Sequence, residues 1–127
     1  MAEDAARGGS RVYGVGGVFL RARDPESLYA WYEQHFGLAR KDGCFIFPPD
    51  AGPGTTVVAF FPHDTEYFGP GGQQAMLNLR VADLDRTLEK PAAAGVVVDP
   101  HREDYDYGRF AWINDPEGNR VELWEPS

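Results

Sequence analysis

Cysteine occurs once and methionine twice in this 127-residue chain, and basic residues are outnumbered, 12 Lys and Arg against 20 Asp and Glu. A single cysteine excludes an internal disulfide. Cys44 stands in the apolar run Cys44-Phe45-Ile46-Phe47, where a buried structural thiol is expected. The net charge of -8 repels phosphate backbones and anionic lipid headgroups, so neither nucleic acid nor a membrane surface is an expected partner. Long apolar runs are missing as well: none approaches the roughly 18 residues of a membrane span. The opening Met-Ala-Glu-Asp-Ala-Ala-Arg-Gly-Gly-Ser has no apolar core of a signal peptide. The expectation is a cytoplasmic protein whose residues 1–12 form a flexible tail.

What is present is a weak internal repeat. Val18-Phe19-Leu20-Arg21-Ala22-Arg23-Asp24 and Leu77-Asn78-Leu79-Arg80-Val81-Ala82-Asp83 each read as a strand ending in an aspartate placed to cap a helix. After Asp24, Pro25 suits the first helical position, Leu28, Trp31, Tyr32 and His35 recur at helical spacing, and Gly37 stops the run. After Asp83, Leu84, Leu88 and Ala92 mark a buried stripe that Gly95 ends, with Pro91 kinking or shortening the helix. The halves converge again at Val57-Val58-Ala59-Phe60-Phe61-Pro62 and Val121-Glu122-Leu123-Trp124-Glu125-Pro126. Further strands are expected at Cys44 to Phe47 and at Tyr107 to Ile113, the latter joined to the last strand by the turn Asn114-Asp115-Pro116-Glu117-Gly118-Asn119. Residues 48–55 read as an exposed loop. Between the halves, Tyr67-Phe68-Gly69-Pro70-Gly71-Gly72 is either a cover over a pocket or a plain linker.

The tandem strand, helix, strand, strand, strand pattern resembles the paired βαβββ modules of the vicinal oxygen chelate superfamily, the glyoxalase, bleomycin-resistance and extradiol-dioxygenase group. The closing segment from Gly108 to Leu123, with Asp115-Pro116-Glu117-Gly118-Asn119 before Val121-Glu122-Leu123, is similar to that family's final hairpin. The stretch Trp31-Tyr32-Glu33-Gln34-His35-Phe36-Gly37-Leu38 resembles its first helix. The resemblance implies an α+β fold in which two modules form a curved mixed sheet around a cleft: a single domain over 13–127, with module one at about 13–63, a linker at about 64–72 and module two at about 73–126.

The resemblance also implies a divalent metal held by inward-facing side chains at four positions. Those positions fall at Gly17, Val58, Met76 and Glu122. Only Glu122 is a ligand of the required kind, so no cofactor is expected; a divalent metal is the lesser alternative, held weakly by Glu122 with the amide oxygens of Gln74 and Asn78. His35, His63 and His101 read as surface or capping residues, and His101 to Asp106 as a solvated acidic loop. Without a metal the cleft becomes a mixed aromatic and polar pocket suited to a small amphipathic ligand. Strand alternation assigns its walls to Gln74, Met76, Asn78, Phe19, Arg21, Phe60, Tyr107 and Trp124, with Arg80 and Arg120 on the same faces. Trp31, Tyr32 and Phe36 belong to the core. Arg109 is expected to approach Glu122 across the last hairpin. Glu122 is then either a structural carboxylate paired with Arg109 or Arg120, or a general base with Arg109 stabilising an oxyanion. Three functions follow: a small-molecule-binding protein with a degenerate metal site, a metal-dependent lyase (lactoylglutathione lyase-like) or dioxygenase that draws on other ligands, and a metal-free enzyme based on Glu122. The family also implies a homodimer.

Overall fold

Two helices lie on one face of a four-stranded mixed sheet in the computed structural model, which describes residues 17–49 and 52–127. Helix α1 spans Pro25–Phe36 and helix α2 Leu84–Ala93. Both begin as the sequence indicates. The Asp24 carboxylate accepts from the Ser27 amide at 3.2 Å and the Asp83 carboxylate from the Arg86 amide at 3.0 Å, which satisfies amides that have no partner within the helix. Gly37 closes α1 in a left-handed conformation that glycine adopts without a Cβ penalty. Pro91 sits in the last turn of α2, which continues only to Ala93.

The strands are β1 (Arg40–Lys41), β2 (Cys44–Phe45), β3 (Leu77–Arg80), β4 (Glu103–Tyr105), β5 (Gly108–Asn114) and β6 (Arg120–Pro126). β1 and β2 form a two-stranded antiparallel ladder, and the main sheet runs in the order β3-β6-β5-β4. β3 is parallel to β6, and the β4–β5 and β5–β6 pairs are antiparallel. The second half is thus a complete βαβββ module, and the chain has the expected α+β architecture.

The first half keeps its helix and a short hairpin. Its outer segments differ from expectation: 17–22 and 55–62 are assigned to no strand. Phe19 is 98% and Phe60 95% exposed, and Val18, Val57 and Val58 are exposed too. A segment without a ladder neighbour leaves its amides to water and its apolar side chains uncovered. Cys44 is likewise exposed rather than buried, because alternation along the two-residue β2 turns Phe45 inward and Cys44 outward.

One face of the main sheet carries the core. Ala111, Ile113, Val121 and Leu123 are buried there against Leu28 and Tyr32 of α1 and Leu84 and Leu88 of α2, with Trp31 and Phe36 packed at the margin. The closing turn is fastened from within. Asp115 accepts from the Glu117 and Asn119 amides, each at 2.9 Å, and from the Asn119 side chain at 2.8 Å. The opposite face of the sheet bears no helix among the described residues and carries the candidate site.

Candidate functional site

Antiparallel register decides which side chains share the free face. Trp112 lies opposite Glu122 and Phe110 opposite Trp124 across β5 and β6, while Glu103 lies opposite Phe110 across β4 and β5. On the parallel side Asn78 pairs with Glu122 and Arg80 with Trp124. Partners in a ladder point the same way, so Asn78, Arg80, Glu103, Phe110, Trp112, Glu122 and Trp124 form one surface.

Glu122 is at its centre and is buried. Its Oε2 accepts from the Tyr67 hydroxyl at 2.5 Å and from the Trp112 indole N–H at 3.0 Å; its Oε1 accepts from the Asn78 side-chain amide at 2.6 Å. Three uncharged donors therefore carry the carboxylate, which has about four acceptor positions in all. Burial first, and then the bond to Glu122, push the Tyr67 hydroxyl well above its ordinary pKa, so it remains a proton donor.

Aromatic rings surround this carboxylate. Tyr67 stacks on Phe61, centroids 5.2 Å apart and 12° from parallel, and meets the Trp112 ring edge-on at 5.9 Å. His101 stacks on Trp112 at 5.8 Å, and the Arg120 guanidinium lies over the same indole at 5.2 Å. A second group follows toward the β4 edge: Phe110 stacks on Trp124 at 5.9 Å and Tyr105 on Tyr107 at 5.2 Å, with Tyr107 edge-on to Phe110 at 5.8 Å. Glu103 accepts from the Tyr105 hydroxyl at 2.6 Å and pairs with His101 at 2.8 Å. Those two contacts, Tyr105 first, hold its carboxyl below the usual carboxylate range.

Of the expected site residues, the structure brings Asn78, Glu122 and Trp124 together, with Tyr107 at the rim. Arg80 shares their face and donates to the Gly54 carbonyl at 2.6 Å. Met76 is half-buried just before β3, and Gln74 is exposed. Phe19, Arg21 and Phe60 are exposed on segments assigned to no strand.

Arg109 requires correction. It lies opposite Glu125, not Glu122, and therefore on the helix-bearing face, where it pairs with Asp85 at 3.1 Å, Glu125 at 3.6 Å and Asp104 at 3.8 Å. The hairpin register places it three residues from where an oxyanion partner for Glu122 would stand. Arg120 does not pair with Glu122 either; it donates to Asp99 at 3.0 Å. One histidine expectation also changes: His35 is buried against Trp31. His101 is exposed as expected, in a largely solvated segment that includes strand β4, with its ring stacked on Trp112.

The residues sequence reasoning passed over are Tyr67, Trp112, Phe61 and Glu103. Trp112 was within reach of strand pairing, had the hairpin register been fixed. Tyr67 was visible only as part of an aromatic pair in a glycine-rich connection.

Grooves among the described residues also lie elsewhere. One of about 430 Å³ runs between His35 and Phe36 of α1 and Arg86, Thr87 and Lys90 of α2. Another of about 220 Å³ lies beside Leu38, Phe47 and Leu79. Among the described residues, no group of three His, Cys, Asp or Glu side chains is placed to hold a metal ion, and no helix is long and apolar enough to cross a membrane.

Residues 14–123 match the model of the Glyoxalase/Bleomycin resistance protein/Dioxygenase superfamily. The chain belongs to that superfamily. Solved structures of similar fold agree. A glyoxylase/bleomycin resistance protein/dioxygenase domain from Frankia sp. EAN1pec is similar with a TM-score of 0.61 at 19% identity, over 92% of this chain and 100% of that one. A lactoylglutathione lyase from Agrobacterium tumefaciens is similar with a TM-score of 0.55 at 20% identity, over 91% and 96% of the two chains. TnmS3, an antibiotic binding protein from Streptomyces sp. CB03234, is similar with a TM-score of 0.50 at 26% identity, over 82% and 88%. No curated protein matches the chain. At the four positions where the sequence resemblance puts metal ligands, Gly17 and Val58 are exposed, Met76 is half-buried, and Glu122 is already engaged by three donors. Of the four, Glu122 alone offers a carboxylate or imidazole, where a divalent metal takes about three good protein ligands.

Proposed function

We propose that this superfamily member binds a small, amphipathic, planar molecule on the Glu122 face without a resident metal, sequestering it rather than transforming it. The supporting observation is the state of Glu122: a buried carboxylate held by Tyr67, Trp112 and Asn78, in the middle of two aromatic groups. Stacked and edge-on rings offer flat apolar area, and a few fixed polar groups orient what lies on it. The likeness to an antibiotic binding protein is in keeping with this reading. Metal-free base catalysis by Glu122 loses its second participant, because Arg109 is on the other face of the sheet.

The test has two parts. Elemental analysis of protein purified without chelator is expected to give far less than one equivalent of iron, nickel, zinc or manganese per chain. Titration with a panel of planar amphipathic molecules is expected to quench Trp112 fluorescence saturably. About one equivalent of metal, lost in Glu122→Ala, would overturn the metal-free reading and put the lyase or dioxygenase first.

We further propose that residues 13–127 act as one domain and that the working form is a homodimer. Supporting the dimer are Phe19, Val57, Val58 and Phe60, which stand exposed on two segments assigned to no strand. A second copy would cover them, and uncovered apolar patches of this kind promote association. Sedimentation is expected to show a dimer at micromolar concentration; a monomer there counts against it.

A further inference from the structure

The three donors to Glu122 are anchored in different ways. Trp112 and Asn78 stand on β5 and β3, each directly opposite Glu122 in its ladder. Tyr67 comes from the connection between the halves, outside any helix or strand. Trp112 is 1% exposed, whereas Tyr67 is half-buried. The connection is tied to the sheet next to the ring and beyond it. Arg120 Nε donates to the Tyr67 carbonyl at 3.3 Å, and the Gln73 side chain exchanges bonds with the Arg120 backbone at 2.9 and 2.7 Å. Gly69 and Gly72 in between both take positive φ, where glycine turns the chain freely.

The ring of Tyr67 is thus a phenol lying parallel to Phe61, edge-on to Trp112 and donating its hydroxyl to Glu122. We propose that this ring fills a subsite for an aryl hydroxyl, and that the ligand is a planar aromatic molecule carrying such a hydroxyl, which displaces Tyr67 from Glu122. The proposal rests on the metal-free binding reading and narrows its ligand class. An ionised carboxylate only accepts hydrogen bonds. A ring without a donor would leave that acceptor position buried and unpaired, and a second carboxylate would be repelled. A neutral hydroxyl replaces like with like. Sites built to satisfy a buried acceptor reject analogues that lack the donor far more strongly than they reject a change in apolar bulk.

The probes are 2-naphthol and its methyl ether, which has the same ring but no hydroxyl hydrogen, titrated by calorimetry into wild-type protein and variants. Tyr67→Ala opens the subsite, and is expected to bind 2-naphthol about tenfold more tightly than wild type and about tenfold more tightly than the ether. Adding Glu122→Gln is expected to abolish the preference. Tyr67→Phe keeps the ring and removes its hold on Glu122, so its affinity for 2-naphthol is expected to rise at least about threefold. Binding of 2-naphthol should also move the Trp112 indole N–H resonance. Equal affinity of Tyr67→Ala for the two naphthalenes overturns the subsite, as does weaker binding by Tyr67→Phe than by wild type. If neither naphthalene binds Tyr67→Ala while the planar panel still quenches wild-type Trp112, the subsite fails and the broader reading stands.

Discussion

The Tyr32 hydroxyl donates to Asp115 Oδ2 at 2.9 Å, joining two residues 83 positions apart in the chain. It connects helix α1 of the first half to the closing turn of the second, and Tyr32 is buried where it does so. Tyr32→Phe keeps the ring and deletes the bond to a carboxylate that also organises the turn. The expected cost is about 1–2 kcal/mol, read as a lower urea midpoint at unchanged slope.

Glu122→Ala removes the acceptor shared by Trp112, Asn78 and Tyr67. Orphaning the buried Trp112 indole N–H costs more than losing a surface bond, and the expected loss is about 2–4 kcal/mol. Chemical denaturation measures it, and tryptophan emission should shift as the indole N–H meets water. A loss below half a kcal/mol would mean the network is not formed.

Gly108 opens β5 at a φ of 142°, and a Cβ there would run into the Trp124 indole and the Glu125 carbonyl. Both are fixed, since Trp124 stacks on Phe110 and donates to the Tyr107 carbonyl at 3.0 Å. Gly108→Ala is expected to cost about 2–4 kcal/mol and to change the near-ultraviolet circular dichroism of the Phe110–Trp124 pair. Gly118→Ala, where no atom lies within 4 Å of the added carbon, should cost less and leave that signal alone.

Burial, and then the nearby Lys90 ammonium, hold the His35 imidazole below its ordinary value of 6.5. The unfolded chain therefore takes up a proton before the folded one does. The stability this represents is complete above about pH 6.5 and is lost as pH falls through the folded value. The urea midpoint should drop between pH 7.5 and 5.5, and the drop should shrink in His35→Gln. Asp85, Asp99 and Glu103, also lowered, act in the same direction at more acidic pH. An undiminished drop in His35→Gln would assign it to other groups.

The sequence was most informative where local chemistry decides the outcome. Asp24 and Asp83 cap helices, Gly37 ends one, and Asp115 to Asn119 make a turn held by their own side chains; each depends on neighbours a few positions away. The pairing of Asn78 with Glu122 was also accessible, because alternation fixes faces once two strands are known to be adjacent. Arg109 was misplaced because the register of the β5–β6 hairpin depends on how its turn closes, and a shift of one residue exchanges the faces. Tyr67 carried no periodic signal, since residues in connections are positioned by tertiary contacts. The strand-like composition of Val57 to Pro62 reflects side-chain preference, and a strand also requires a neighbour to bond with.

The parallel pairing of β3 with β6 has a kinetic consequence. Asn78 and Glu122 are 44 residues apart, so closing that ladder encloses the whole of α2, β4 and β5 in one loop. Loop-closure entropy is incurred before the contact rewards it, and topologies rich in such distant pairings fold slowly for their size, on the order of milliseconds to seconds. Trp112, whose indole bonds to Glu122, is positioned to report that closure. Its fluorescence in a stopped-flow refolding experiment should follow the slow assembly of the sheet rather than the early formation of the helices.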